Sequence, residues 1–186
     1  SQGEYLTQIM NQVGYDFAVL GNHEFDYGLE QLTALIKQSQ AQYLGCNIRY
    51  TGSEENALAA LDPYQIVTYG EGKVAFIGIS TPESIAKSTP AYFMDDSGEL
   101  VYDFYGGSGE ELYTQVQQTV ANCLAAGADY VIALAHLGDD ESSAPFRSTD
   151  LIAATNGIDV VLDGHSHSVI SCDVIDNKDG DPVLLS

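Results

Sequence analysis

At 186 residues and 45% hydrophobic content, the chain is long enough for one domain with a substantial core, and disorder is not its expected state. Its 27 acidic residues face only 6 Lys and Arg, a net charge of -21 that repels polyanions and leaves too few cations to track a phosphate backbone; no nucleic-acid partner is expected. A small anionic substrate would need its positive potential from bound metal ions, because the side chains cannot supply it.

Cys46, Cys123 and Cys172 are widely spaced and odd in number, so they form neither a disulfide framework nor a zinc knuckle, and they read as small core residues. No apolar run reaches the length of a membrane span. The opening SQGEYLTQIM lacks the basic end and apolar stretch of a signal peptide.

Along the chain, Tyr5, Leu6, Ile9, Met10 and Val13 recur at helical spacing until Gly14, and the run Phe17 to Leu20 follows as a short strand. Leu29, Leu32, Leu35 and Ile36 predict a second amphipathic helix, with a short strand around Tyr43 and Leu44 leading into Gly45-Cys46-Asn47. YQIVTYGEGKVAFIGIS gives two β-rich runs around Gly70-Glu71-Gly72, a hairpin signal, so part of the sheet is antiparallel. Pro82 to Gly109 has no clear period and reads as a long excursion holding a short helix or strand. Leu112, Val116, Val120 and Leu124 then predict a helix ending at Gly127, before the apolar strand Tyr130 to Ala135. A helix near Thr149 to Thr155 leads to a strand at Ile158 to Leu162, and further strands are expected at Val169 to Ile175 and Val183 to Leu185. Helices flanking apolar strands, with hairpin material between them, indicate an α/β domain whose sheet is covered on its outer face.

All four histidines follow apolar runs: FAVLGNHE carries His23, YVIALAHLG carries His136, and VVLDGHSH carries His165 and His167. If these runs are parallel neighbours, their carboxyl ends share the edge where open α/β sheets place ligands. His165 and His167 can reach one ion or two adjacent ones, and neutral imidazole suits Zn, Mn, Fe, Co or Ni, while Asn22 adds a hard oxygen donor. Asp26 and Tyr27 stand where a zincin helix would need its second histidine, so HExxH chemistry is excluded. Singly, Asn22 is an ordinary cap, His136 a hydrogen-bonded strand end, HSH a surface turn, and Glu24 and Asp26 acids near a helix start. Their conjunction carries the signal.

GNHEFDYG, AHLG and DGHSH, in that order after apolar strands, together with LGCNI and VAFIGIST, resemble the calcineurin-like metallophosphoesterases, in the branch of 5'-nucleotidases and 2',3'-cyclic-nucleotide phosphodiesterases. The resemblance runs the length of the chain. It implies a β-sandwich flanked by helices, a four-layer αββα arrangement, and a two-metal phosphohydrolase using Zn, Mn or similar divalent ions. Position by position, Asn22, His136 and His165 match ligands of one ion, His167 a ligand of the other, His23 the catalytic histidine and Asp26 the acid that orients it. Glu24 is structural, and Arg49 and Arg147 are surface residues rather than phosphate ligands.

The family's D-x-H and G-D segments lie upstream of GNHE and have no counterpart in residues 1 to 20. The expectation is therefore a partial domain, 1–186, without its first strand-helix-strand unit or the C-terminal nucleotide-binding domain, with an incomplete dimetal site and no activity alone. An exposed sheet edge would then favour self-association. The implied substrate is a nucleotide or other phosphate ester, and the implied location extracellular, periplasmic or cell-surface. The competing reading is a degenerate, metal-free domain that serves binding or structure.

Overall fold

A computed structural model of the chain describes residues 2–52, 58 and 60–186. In chain order it contains α1 (Glu4–Val13), β1 (Phe17–Val19), α2 (Leu29–Gln38), β2 (Gln42–Leu44), β3 (Ile48–Tyr50), β4 (Tyr64–Tyr69), β5 (Gly72–Ser80), α3 (Ser84–Lys87), β6 (Tyr102–Phe104), α4 (Glu110–Ala125), β7 (Tyr130–His136), α5 (Ser148–Ala154), β8 (Val160–Leu162), β9 (Asp173–Asp176) and β10 (Pro182–Leu185). Short 3-10 turns occupy Asn22–Phe25, Pro90–Phe93 and Glu141–Ser143.

The main sheet has six strands in the order β4-β5-β7-β8-β10-β9. β5, β7, β8 and β10 run parallel, and β4 and β9 are antiparallel strands at its two edges. The period-2 alternation of these strands sends Ala75, Ile77, Ile79, Val131, Ala133, Ala135 and Val161 to one face. There they meet Leu112, Val116, Val120 and Cys123 of α4 and Leu151 and Ile152 of α5 in one continuous core. Side chains buried this deeply each contribute about 1.5–3 kcal/mol relative to exposure.

The opposite face is partly covered by a second, two-stranded parallel sheet of β1 and β2. Phe17 stacks on Phe76 with ring centroids 4.8 Å apart. Leu44 lies against Gly78 so closely that an added Cβ would stand 2.3 Å from the Leu44 carbonyl oxygen. Outside that second sheet, Leu32 of α2 joins Leu20, Phe25, Phe93 and Phe104 in a separate aromatic-rich core. The β3–β6 pair contributes Tyr102 and Phe104 to that core. Helix, sheet, sheet and helix thus follow one another, in agreement with the expected αββα order.

Several expectations need correction. Phe17 to Leu20 forms a strand one residue shorter, and the strand expected at Val169 to Ile175 is displaced to Asp173–Asp176, with Val169 94% exposed. Cys46 and Cys123 are buried, but Cys172 is exposed and is no core residue, because it precedes an edge strand whose residues face solvent. The Pro82 to Gly109 excursion contains both α3 and β6, too short for a period to register. α1 forms as expected and is closed by Gly14, whose N–H bonds the Met10 carbonyl in a left-handed cap. Yet Tyr5, Leu6, Ile9 and Val13 on that helix remain exposed, and so do Leu162, Val174 and Leu184 on the uncovered face of the main sheet.

Gly78→Ala is expected to destabilise the protein by about 1–3 kcal/mol, because the new methyl must push β2 away from β5. Urea unfolding checks this, and an unchanged midpoint would contradict the close approach.

Candidate active site

The parallel register sets the geometry. Ser80 of β5 pairs with His136 at the end of β7, and Leu134 of β7 pairs with Leu162 at the end of β8. His136 and the Asp163–His167 segment therefore leave the sheet at adjoining points on one edge. β1 belongs to the second sheet, and its own end delivers Gly21 and Asn22 to the same place: Asn22 Oδ1 lies 3.1 Å from His136 Nε2. Gly21 is required there, since a Cβ would sit 2.7 Å from the His136 imidazole.

Asp163 holds the edge together. Its Oδ1 accepts from the backbone N–H of Leu137 at 2.9 Å and of Gly164 at 2.8 Å. Its Oδ2 accepts from the Gly138 N–H at 2.9 Å and from the Ser148 hydroxyl. One carboxylate thereby ties the turn after β8 to the turn after β7 and to the start of α5. Ser166 adds a second tie, its Oγ accepting from the Asp139 and Asp140 N–H groups at 2.9 and 3.0 Å.

Pinned in this way, the His136 and His165 rings stand 4.9 Å apart. Burial, and next the neighbouring His165, push the His136 imidazole down to about 4. Burial, and next the Lys87 ammonium, lower His165 as well. Both rings are therefore neutral at pH 7, the form that offers a lone pair to a cation. Two donors about 2.1 Å from one ion, at the angles of octahedral or tetrahedral coordination, lie about 3.0–3.4 Å apart. The 3.1 Å between Asn22 Oδ1 and His136 Nε2 fits that spacing, with His165 alongside. The donor set of two imidazoles and an amide oxygen suits a divalent ion.

His167 is exposed and shares a 300 Å³ cleft with Gly138, Asp139, His165 and Val169. Among the described residues, no group of three or more His, Cys, Asp or Glu is assembled to hold an ion. One cluster is brought together, Asn22, His136 and His165, whereas His167 stands beside it in the cleft and joins no ion-holding group among the described residues.

His23 and Asp26 form a separate dyad. Asp26 Oδ2 lies 2.8 Å from His23 Nδ1, and the His23 side chain is 73% exposed. The carboxylate fixes the proton on Nδ1 and leaves Nε2 facing outward. Glu24 points back instead, accepting the Gly21 N–H at 2.7 Å, so its part is to close the 3-10 turn. Arg49 is committed to Asp103, and Arg147 makes a two-pronged contact with Asp150 at 2.8 Å through both Nε and Nη2. Both guanidinium groups are thus occupied by acids.

Sequence reasoning missed Asp163, Glu83 and Lys87. Asp163 had a signal, since it immediately precedes GHSH. Glu83 and Lys87 lie in the aperiodic excursion and reach the site only through tertiary contact: Lys87 Nζ is 3.0 Å and Glu83 Oε2 3.5 Å from His165 Nε2.

The chain is similar to known proteins along its length. The family described as "Bacterial capsule synthesis protein PGA_cap" matches residues 3–186. The snake venom 5'-nucleotidase of Gloydius brevicauda is 34% identical over 172 residues, which cover 91% of this chain and 26% of that protein. The crystal structure of a 5'-nucleotidase precursor from Thermus thermophilus superposes with a TM-score of 0.77 at 26% identity, covering 100% of this chain and 35% of the other. The calcineurin-like phosphoesterase YfkN of Bacillus subtilis superposes with a TM-score of 0.71 at 28% identity, over 89% of this chain and 49% of its own. The chain thus spans about a quarter of the venom relative's length and about a third of the Thermus chain.

Two outcomes are expected. Asp163→Asn replaces an acceptor of four hydrogen bonds by an amide that confronts N–H donors with its own NH₂, and should destabilise by about 3 kcal/mol in chemical denaturation. The pH dependence follows from His136: unfolded, it titrates near the ordinary value of about 6.5. Between that pH and about 4 the unfolded chain binds the extra proton. Stability of chelator-treated protein should therefore fall as pH is lowered through that window, with His165 adding in the same sense. His136→Gln should flatten that part of a melting-temperature profile; an unaltered slope would contradict a depressed His136.

Proposed function

We propose, because the chain belongs to the family described as bacterial capsule synthesis protein PGA_cap and is a calcineurin-like metallophosphoesterase of the 5'-nucleotidase branch, that the full-length protein hydrolyses phosphate esters of nucleotides. The observation that carries this reading is the meeting of Asn22 and His136, from two different sheets and 114 positions apart, at 3.1 Å beside a second neutral imidazole. The names of the similar proteins, 5'-nucleotidases and a calcineurin-like phosphoesterase, supply the substrate class.

In this reading Asn22, His136 and His165 hold one divalent ion, and His167 contributes to a second that takes its remaining ligands from elsewhere in the full-length protein. Bound ions would supply the positive charge that polarises a phosphoryl oxygen and lowers the pKa of an attacking water. The chain's own residues do the rest. His23, held by Asp26 at 2.8 Å and open to solvent, presents Nε2 to the phosphoryl or leaving oxygen and stabilises charge developing there. Asp26 orients the ring through Nδ1. Buried Asn22 keeps its amide oxygen turned toward the imidazoles, and Glu24 locks the turn that carries both Asn22 and His23.

The metal-free alternative makes a different demand: neutral imidazoles would be held together with no ion to share. The convergence of Asn22, His136 and His165 from three separate segments on one edge favours the enzyme. Residues 1–186 alone are proposed to be inactive, because the second ion would have only His167 among them. Export to the cell surface, periplasm or medium is part of the same reading and rests on likeness to relatives such as the venom protein. Among the described residues, no helix is long and apolar enough to cross a membrane. The exposed apolar side of α1 and the open face at Leu162 and Leu184 suit self-association of the isolated piece.

With Mn or Zn added, the full-length protein should hydrolyse a nucleoside monophosphate or a generic phosphodiester. His23→Asn should lower kcat by about 10²–10⁴-fold, with metal content unchanged. His136→Ala should instead lose metal. Turnover that stays at background with both ions bound would end the enzyme reading. For the isolated piece, a sharp monomer peak in size-exclusion chromatography would contradict self-association.

A further inference from the structure

α3 and the turn before it form a rigid support aimed at the site. Thr81 and Ser84 are fully buried; the Thr81 carbonyl accepts both the Ser84 N–H at 3.1 Å and the Ser84 hydroxyl at 2.8 Å, while Thr81 Oγ1 accepts the Glu83 N–H at 3.2 Å. The Lys87 N–H bonds the Glu83 carbonyl at 2.8 Å, which places the two side chains one turn apart on the same side.

Glu83 Oε2 is buried and has no hydrogen-bond partner among the described residues. The Lys87 ammonium lies 3.1 Å from it, at ion-pair distance but out of line for a hydrogen bond, and the other polar atom close by is His165 Nε2 at 3.5 Å. A buried carboxylate oxygen that has an ion-pair partner but accepts no hydrogen bond still has room for a donor. The Lys87 ammonium also donates to His165 Nε2 at 3.0 Å, and its side chain is 38% exposed. Backbone strain at His165, with φ +89°, adds that this ring is held where other forces require it.

We propose that Glu83 is a positioning residue for His165. Its buried oxygen takes the His165 Nε2–H, which leaves Nδ1 as the ring's one lone pair for a divalent cation, and Lys87 balances the carboxylate charge. The inference rests on the reading of His165 as a metal ligand. With a divalent cation held at Nδ1, Lys87 would turn from Nε2 while staying paired with the carboxylate, and the imidazole would need to rotate only the few tenths of an ångström that separate 3.5 Å from a hydrogen bond. A carboxylate on the second nitrogen fixes the tautomer and strengthens the ring as a donor.

The test uses full-length protein and Zn as the probe, with calorimetric titration for affinity and ¹⁵N imidazole NMR for the tautomer. Wild-type protein loaded with Zn should show His165 protonated on Nε2. Glu83→Ala should bind Zn about 10–100-fold more weakly, Glu83→Gln should recover much of that loss because its amide oxygen still accepts, and Lys87→Gln should bind no more weakly than wild type. A His165 protonated on Nδ1 in the Zn-loaded wild type, or Zn affinity untouched in Glu83→Ala while His165→Ala loses it, would overturn the role of Glu83. Affinity unchanged in His165→Ala would instead remove the ligand reading beneath it. The NMR measurement needs no variant, so a Glu83→Ala protein that fails to fold leaves the test intact.

Discussion

The Asp163 carboxylate is the constraint on which the site depends. A parallel sheet delivers its strand ends to one edge but does not fix the turns that follow, and those turns carry His136, His165 and His167. By accepting from the N–H groups of Leu137, Gly138 and Gly164 and from the Ser148 hydroxyl, Asp163 fastens both turns to each other and to α5. Charge-assisted bonds of this kind are about twice as strong as neutral ones. The two turns are therefore held more firmly than loops usually are, and a ring-to-ring distance of 4.9 Å can be kept without an ion in place.

Charge gives the neutrality of the imidazoles its consequence. A surface of net charge -21 repels a phosphate ester, and the two arginines of the chain are already paired with Asp103 and Asp150. Protonated histidines could in principle offset this, but burial holds His136 and His165 in the neutral form, so near pH 7 they add lone pairs rather than charge. A site built from lone pairs in an acidic protein attracts cations first and anions only through them.

Much of this was legible because the chemistry falls next to strand ends, where an apolar run gives a positional marker. GNHEFDYG after FAVL put Asn22, His23 and Asp26 just past a strand end, the hairpin followed from Gly70-Glu71-Gly72, and α2 and α4 followed from apolar spacing. Contacts between distant segments were not legible. The β3–β6 pair joins residues 54 apart in sequence, Arg49 with Asp103, and each strand is only three residues long, too short to alternate detectably. Cys172 looked like a core residue from its type, yet whether a small side chain is covered depends on the neighbouring strand, and β9 is an edge strand. α1 illustrates the reverse: its period was right, but period says which side is apolar and not whether another layer lies against it.

The segment after β5 joins the two halves that the sequence presents separately. Ser88 directs its hydroxyl toward Asp26 Oδ1 at 3.5 Å, while Lys87, one residue earlier, reaches His165. The dyad is thereby placed relative to the imidazoles by α3 as well as by the turn that links Asn22 to His23. The buried donors are fixed by hydrogen bonds, whereas His23 is exposed and held by one carboxylate. That difference suits the roles proposed for them: groups that share an ion would gain from rigidity, because every misplaced donor weakens the same site, while a group that meets both an incoming ester and a departing oxygen would need open space on one nitrogen and a fixed proton on the other.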